Sequence, residues 1–201
     1  KGAGSPTIRI RGVEKLHGAE HTVIPDRVEA ATYAMAAAAT DGEVTLLNTE
    51  PAHLQAIFHQ LYQANVSCTV RGKEVTIRRK GPLKPLSVAT QPYPGYPTDA
   101  QAQLMALMTQ ASGISIITER IFESRFMHVP ELGRLGARIE LEGVSAIVEG
   151  GFELQGAHVM SSDLRASAAL VIAGLVAKST TIIARIYHLD RGYEKMDVKL
   201  R

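Results

Sequence analysis

Three aspartates, Asp26, Asp99 and Asp163, recur at intervals of 73 and 64 residues, and arginines accompany them. Arg27 and Arg165 lie just behind their Asp, while Arg125 and Arg191 fall in polar segments downstream of the second and third. Carboxylates and guanidiniums together suit anion chemistry. A positioned carboxylate takes a proton from a reacting hydroxyl, and guanidinium is the planar, permanently charged group that matches phosphate and carboxylate. Each Asp stands at or beside a helix N-terminus, where unpaired N–H groups and the helix dipole favour negative charge. Capping alone accounts for each one, because Asp is among the strongest N-cap residues and a repeated fold repeats its caps. The arginines separate the two readings: gathered at a common centre they surround an anion pocket, and left scattered they are solvated surface.

The elements that must gather them form a repeat. A short Asp-bearing turn, an apolar helix, a β-branched strand and a second helix occur in IPDRVEAATYAMAAAATDGEVTLLN, PTDAQAQLMALMTQASGISIIT and SSDLRASAALVIAGLVAKSTTIIA. A polar segment follows each strand, and Arg120 and Arg185, each opening Arg-Ile-aromatic, lie 65 residues apart, close to the interval between the second and third aspartates. Each leading helix is apolar nearly all round, which places it in the centre of the domain with the sheets outside. Copies one and two end in hairpin-like alternation, VSCTVRGKEVTIRR and ARIELEGVSAIVEG, with turns expected at Arg71-Gly72 and Glu142-Gly143. Copy three stops before its hairpin. Asn65 and Gly136 end the second helices of copies one and two, as residues that tolerate a left-handed C-terminal position. Residues 78–85, RRKGPLKP, read as an exposed basic connector.

Composition narrows the function classes. The 201 residues are 45% hydrophobic and 21% charged, enough to bury a core. Lys and Arg exceed Asp and Glu by 22 to 20, too little for a nucleic-acid surface, so any anion must be bound locally. The single Cys68 leaves no disulfide framework and fits a reducing compartment, with cytoplasm as the default. It lies in the alternating run SCTVRGKEVTI and reads as a buried strand residue rather than a nucleophile. The apolar stretches Ala34 to Ala39 and Leu170 to Ala177 are too short to cross a bilayer, and no leader opens the chain, so no membrane partner is expected. Seven His residues show no paired metal-ligand spacing and no phosphate-cradling glycine loop occurs, so neither metal nor cofactor is expected. A start at Lys1 without Met and an end at Arg201 within helix-like sequence lead us to expect a fragment.

Several long motifs resemble one enzyme family. PTDAQAQLMAL at 97–107, ERIFESRFMHVPEL at 119–132, SDLRASAALVIAGL at 162–175 and RIYHLDRGYEK at 185–195 are similar to the UDP-N-acetylglucosamine 1-carboxyvinyltransferases of the enolpyruvyl transferases. With TIRIRGVEKL and VIPDRVEA near the start, the resemblance covers essentially the whole chain. It implies an α/β fold: an inside-out α/β barrel of three βαβαββ repeats, with central helices, outer sheets and the active site in a cleft between two such domains. The chain matches the domain made mainly by the C-terminal half, with repeats at about 7–85, 86–151 and 152–201. The third repeat is truncated and the N-terminal-half domain absent. The implied reaction transfers the enolpyruvyl group of phosphoenolpyruvate to the 3-hydroxyl of UDP-N-acetylglucosamine and releases phosphate, the first committed step of cytoplasmic peptidoglycan synthesis.

The resemblance assigns roles residue by residue. Asp99 matches the aspartate at the sugar 3-hydroxyl, the proposed base. Ile121 and Phe122 match positions in the UDP-sugar site. Arg125, Arg165 and Arg191 match arginines around phosphoenolpyruvate, and Asp163 matches a carboxylate beside the reacting carbon. Glu123, His188 and Asp190 are supporting candidates or structural residues. Ser124 stands where Asn is common, and Ser161-Ser162 where Ala-Thr is common. The family's mobile loop with its Cys acid has no counterpart here, so the isolated chain is expected to be inactive. Two alternatives stay open: the sister activity that makes 5-enolpyruvylshikimate 3-phosphate, against which PTDAQAQ and RFMHVPEL speak, and a non-catalytic domain of the same fold.

Overall fold

Asp26 starts the first helix: its carboxylate accepts from the backbone N–H groups of Val28 at 2.7 Å and Glu29 at 3.2 Å, and α1 (Arg27–Ala39) follows. A computed structural model describes residues 1–3 and 5–200. After α1 come β1 (Glu43–Leu46), α2 (Gln55–Gln63), β2 (Val66–Arg71) and β3 (Glu74–Arg79), with the strands in the order β1-β3-β2, all antiparallel. The next run holds β4 (Ser87–Ala89), α3 (Gln101–Met108), β5 (Gly113–Thr118), α4 (Val129–Arg134), β6 (Arg138–Glu142) and β7 (Ser145–Gly150). Its sheet is ordered β4-β5-β7-β6, with β4 parallel to β5 and the other pairs antiparallel. The last run is β8 (His158–Met160), α5 (Leu164–Val176), β9 (Ile182–Ala184), α6 (Tyr187–Asp190) and α7 (Met196–Lys199), with β8 parallel to β9. The chain is thus a mixed α/β protein.

The three helices α1, α3 and α5 pack on one another, as their all-round apolar sequences require. Every residue of α3 is buried, and Leu104, Met105, Leu107 and Met108 are wholly enclosed. Burying each such side chain is worth roughly 1.5–3 kcal/mol, which fixes α3 firmly in the core. The sheets lie against the helices, with Val75, Ile77, Ile117, Ala146 and Val148 facing inward. At the end of β7 the chain passes so close to α3 that a Cβ on Gly150 would sit 2.2 Å from the Met108 carbonyl oxygen. Among the described residues no helix is long and apolar enough to cross a membrane.

Several local expectations need correction. The hairpin turns centre one residue later than expected, on Gly72-Lys73 and Gly143-Val144, because Arg71 pairs with Glu74 and Glu142 with Ser145 in register. Both glycines adopt positive φ, +62° and +58°, at the first turn position, the conformation that an L side chain resists. Residues 78–85 do join the first run to the second with Arg78, Lys80, Lys84 and Pro85 exposed, but the segment is held in place rather than loose. Arg78 and Arg79 belong to β3, Leu83 is buried, and hydrogen bonds from Lys80 and Lys84 to the carbonyls of Asn65 and Ala64 pin the segment down. Residues 5–25 form no strand or helix and stand exposed, including Ile8, Ile10 and Val23, so the first sheet lacks the parallel leading strand that β4 and β8 give the other two. The expected C-terminal helix is the short α7; Arg201 lies outside the described residues. Asn65 and Gly136 follow α2 and α4 with φ of +73° and +91°, as their sequence positions imply.

Candidate functional site

The three aspartates part company in the structure. Asp163, like Asp26, is an N-cap: its Oδ1 accepts from Arg165 N at 2.8 Å and Ala166 N at 3.0 Å, and Ser162 Oγ reaches its other oxygen at 3.2 Å. Asp99 caps nothing. Its chain enters α3 through the tight turn Thr98–Ala100 after Pro97, and no side chain caps that turn or α3. The carboxylate turns outward and meets two guanidiniums, Arg125 Nη2 at 3.0 Å and Arg165 Nε at 3.4 Å. Partial burial pushes the Asp99 carboxyl up, but Arg165 and Arg125 outweigh it and hold it below the usual carboxylate range.

Each guanidinium is held from a different element. Arg165 sits in the first turn of α5, mostly buried, and its pKa is raised: burial lowers it, and the neighbouring Tyr193 and Asp99 more than offset that. Tyr193 is itself tied down, its hydroxyl 2.8 Å from Thr32 Oγ1 of α1 and 3.2 Å from Gln103 Nε2 of α3. Gln103 also donates to the Asp99 carbonyl at 3.0 Å. One buried polar knot therefore joins α1, α3 and the segment after α6 beside the charged cluster. Arg125 comes from the loop between β5 and α4 and donates through Nη1 to Thr98 Oγ1 at 2.9 Å. Its guanidinium stands 5.4 Å from the centre of the Phe122 ring.

Of the residues singled out in the sequence, Asp99, Arg125 and Arg165 come together. Ile121 and Phe122 lie exposed on the same loop, Phe122 against Arg125. The Asp163 carboxylate is engaged in capping: it accepts from the backbone N–H of Arg165, and among the described residues it forms no ion pair with the guanidinium of Arg125 or Arg165. Arg191 is exposed at the end of α6 and forms no ion pair among the described residues, although Gly192 beside it packs on Leu164 at the start of α5. Arg27 is elsewhere: it lies 5.0 Å over the Tyr93 ring and lines a separate cavity of about 530 Å³ with Glu29, Tyr33 and Lys199. Glu123 and Asp190 are exposed, and the His188 ring stacks on Tyr187 at 4.2 Å. Ser124 holds φ +59°, a left-handed position that Asn tolerates better. Cys68 is half-buried on β2 against the core, and burial pushes its thiol up to about 12, so it is no thiolate near neutral pH.

Sequence reasoning missed Glu119, Thr98 and His128. Glu119 is a buried carboxylate at the end of β5 whose oxygens accept from Thr90, Thr98 and the backbone N–H groups of Ile121 and Phe122. Burial pushes its carboxyl up, and those hydrogen bonds outweigh it and hold it low. The only sequence signal is an acid directly after the strand GISIIT. His128 is buried with Nε2 unpartnered. Burial lowers it to about 4, with Asp163 acting upward and Arg125 downward, so it is neutral.

Comparisons with known proteins give the cluster a context. Residues 1–200 match the family described as EPSP synthase (3-phosphoshikimate 1-carboxyvinyltransferase). A UDP-N-acetylglucosamine 1-carboxyvinyltransferase of Rhodopseudomonas palustris (strain BisB5) is 56% identical over 200 residues, covering 99% of this chain and 47% of the relative. One from Koribacter versatilis (strain Ellin345) is 52% identical, over 100% and 46%. The chain thus spans about half the length of these relatives. Among solved structures, the enolpyruvyl transferase NikO from Streptomyces tendae superposes with a TM-score of 0.81 at 29% identity, over 90% of this chain and 43% of that one.

Proposed function

Because the chain belongs to the EPSP synthase (3-phosphoshikimate 1-carboxyvinyltransferase) family, we propose that it supplies one wall of the active-site cleft of an enolpyruvyl transferase acting on UDP-N-acetylglucosamine. The observation that carries this reading is Asp99, a partly exposed carboxylate held between two guanidiniums instead of capping its helix. The relatives named above support the sugar nucleotide over 3-phosphoshikimate as acceptor.

The chemistry asks for these groups. The sugar 3-hydroxyl loses a proton as its oxygen adds to C2 of phosphoenolpyruvate, whose C3 takes up a proton. The tetrahedral adduct then loses phosphate and a C3 proton, restoring the double bond. Asp99 takes the hydroxyl proton. Arg125 and Arg165 carry the carboxylate and phosphate of phosphoenolpyruvate and stabilise the charge of the adduct. Their transfer from Asp99 to the incoming anion raises the proton affinity of Asp99 as the substrate arrives. Arg191 closes on the same anion from a backbone anchored by Gly192 against Leu164 and by Tyr193 against Gln103. Asp163 serves proton transfer at the reacting carbon, and Ile121 and Phe122 face the nucleotide sugar.

In this reading the chain is one domain with repeats at about 7–85, 86–151 and 152–201 around central helices. The N-terminal half of the enzyme supplies the other wall and the acid. The product feeds cytoplasmic peptidoglycan synthesis, and hence cell shape and division. The test joins the chain to the N-terminal segment of the Rhodopseudomonas palustris relative and measures phosphate release. Release with phosphoenolpyruvate and UDP-N-acetylglucosamine, none with 3-phosphoshikimate, and none from the 201 residues alone are expected. Comparable turnover by the isolated chain, or preference for 3-phosphoshikimate, contradicts the proposal.

A further inference from the structure

The geometry points to Glu119 as a positioning residue that sets, through the hydroxyl of Thr98, the grip of Arg125 on Asp99. Glu119 closes β5, with its backbone N–H bound to the Val144 carbonyl at 2.8 Å, and only 2% of it reaches solvent. Its Oε1 accepts from the hydroxyl of Thr90 and from the N–H groups of Ile121 at 2.8 Å and Phe122 at 3.1 Å. Its Oε2 accepts from Thr98 Oγ1 at 2.8 Å. Thr98 Oγ1 in turn accepts from Arg125 Nη1 at 2.9 Å, and Nη2 of the same guanidinium reaches Asp99 at 3.0 Å.

The direction of these bonds follows from chemistry. An ionised carboxylate only accepts, so the Thr98 proton must point at Glu119 and its lone pairs are left facing Arg125. Thr98 is thereby a one-way relay. The other oxygen of Glu119 is fixed by two backbone N–H groups that can never reverse. In Glu119→Gln the amide oxygen must therefore remain at Ile121 and Phe122, and the NH₂ group faces Thr98. The Thr98 hydroxyl then becomes an acceptor toward residue 119, and its proton, no longer held on a carboxylate, loses the orientation that presents the lone pairs to Arg125. The same carboxylate that folds the 120–125 loop thus also orients the arginine carried by that loop.

The position of Arg125 is open to test apart from any activity; only the kinetic arm rests on the enolpyruvyl transferase reading. Asp99 is followed by ¹³C carboxyl titration in the wild type, Glu119→Gln, Thr98→Val and Thr98→Ser, in the 201-residue chain joined to the N-terminal segment of the relative. Cooperative unfolding verifies that each variant is folded. We expect Asp99 to titrate higher, toward the ordinary aspartate range, in Glu119→Gln and Thr98→Val, and as in the wild type in Thr98→Ser, which keeps the hydroxyl. Loss of one hydrogen bond to a charged group predicts about a tenfold rise in the KM for phosphoenolpyruvate with a smaller change in kcat. An Asp99 titration unmoved in folded Thr98→Val overturns the relay, and this variant decides the matter should Glu119→Gln not fold. A shifted titration with no transferase activity in any version upholds the relay and removes the function.

Discussion

At the scale of single residues, what distinguishes Asp99 from Asp26 and Asp163 is the first turn that follows each. Two of them give one oxygen to backbone N–H groups, and Asp99 gives its Oδ1 to both Arg125 and Arg165. His128 offers a residue-scale prediction. Its folded-state value, about 4, lies below the ordinary histidine value of 6.5, so between these pH values the unfolded chain binds a proton that the folded chain does not. Stability contributed by the neutral ring is complete above about pH 6.5 and is lost as pH falls toward about 4, on the order of 3 kcal/mol in all. Denaturant unfolding between pH 7 and pH 5 should show this loss, and His128→Gln should flatten it; an equal slope in both proteins excludes His128 as the cause. The sequence made Asp99, Arg125 and Arg165 visible through spacing and residue type. Glu119 stayed hidden because its importance comes from hydroxyls and N–H groups that only folding assembles, Thr90 lying 29 positions away in sequence.

At the scale of elements, Asp163 separates structure from chemistry. Asn caps a helix about as well as Asp, whereas Ala forfeits roughly 1 kcal/mol. Asp163→Ala should therefore lower stability by about that amount and Asp163→Asn by little, while both lose phosphate release in the joined protein if the carboxylate takes part in proton transfer. Full activity in Asp163→Asn assigns the residue to capping alone. The elements themselves were largely legible. The apolar periodicity of α1, α3 and α5, the hairpins and the left-handed helix ends at Asn65 and Gly136 stand where the pattern puts them. The turn register was not, since a glycine preceded by a strand residue and followed by Lys73 or Val144 reads equally well in two frames until cross-strand pairing selects one. In the 78–85 segment the charges dominate the sequence and mark the exposure, while the buried Leu83 and the backbone bonds of Lys80 and Lys84 that fix its course were not legible.

At the scale of the molecule, the mutually packed helices α1, α3 and α5 set the site. Their mutual packing brings the starts of α3 and α5 within reach of one guanidinium, and the Thr32–Gln103–Tyr193 knot ties the neighbouring strands of sequence to them. The exposed Arg191, Ile121 and Phe122 lie on the same polypeptide but outside that charged pair of contacts. The chain spans 47% of the Rhodopseudomonas palustris relative, and the opposing wall of the cleft belongs to the proposal. The most direct measurement of the central claim is phosphate release by the joined protein carrying Asp99→Asn, an exchange that keeps size and removes the base. The account predicts a loss of about 10²–10⁴-fold in rate with cooperative unfolding retained. A folded Asp99→Asn protein that turns over at the wild-type rate contradicts it.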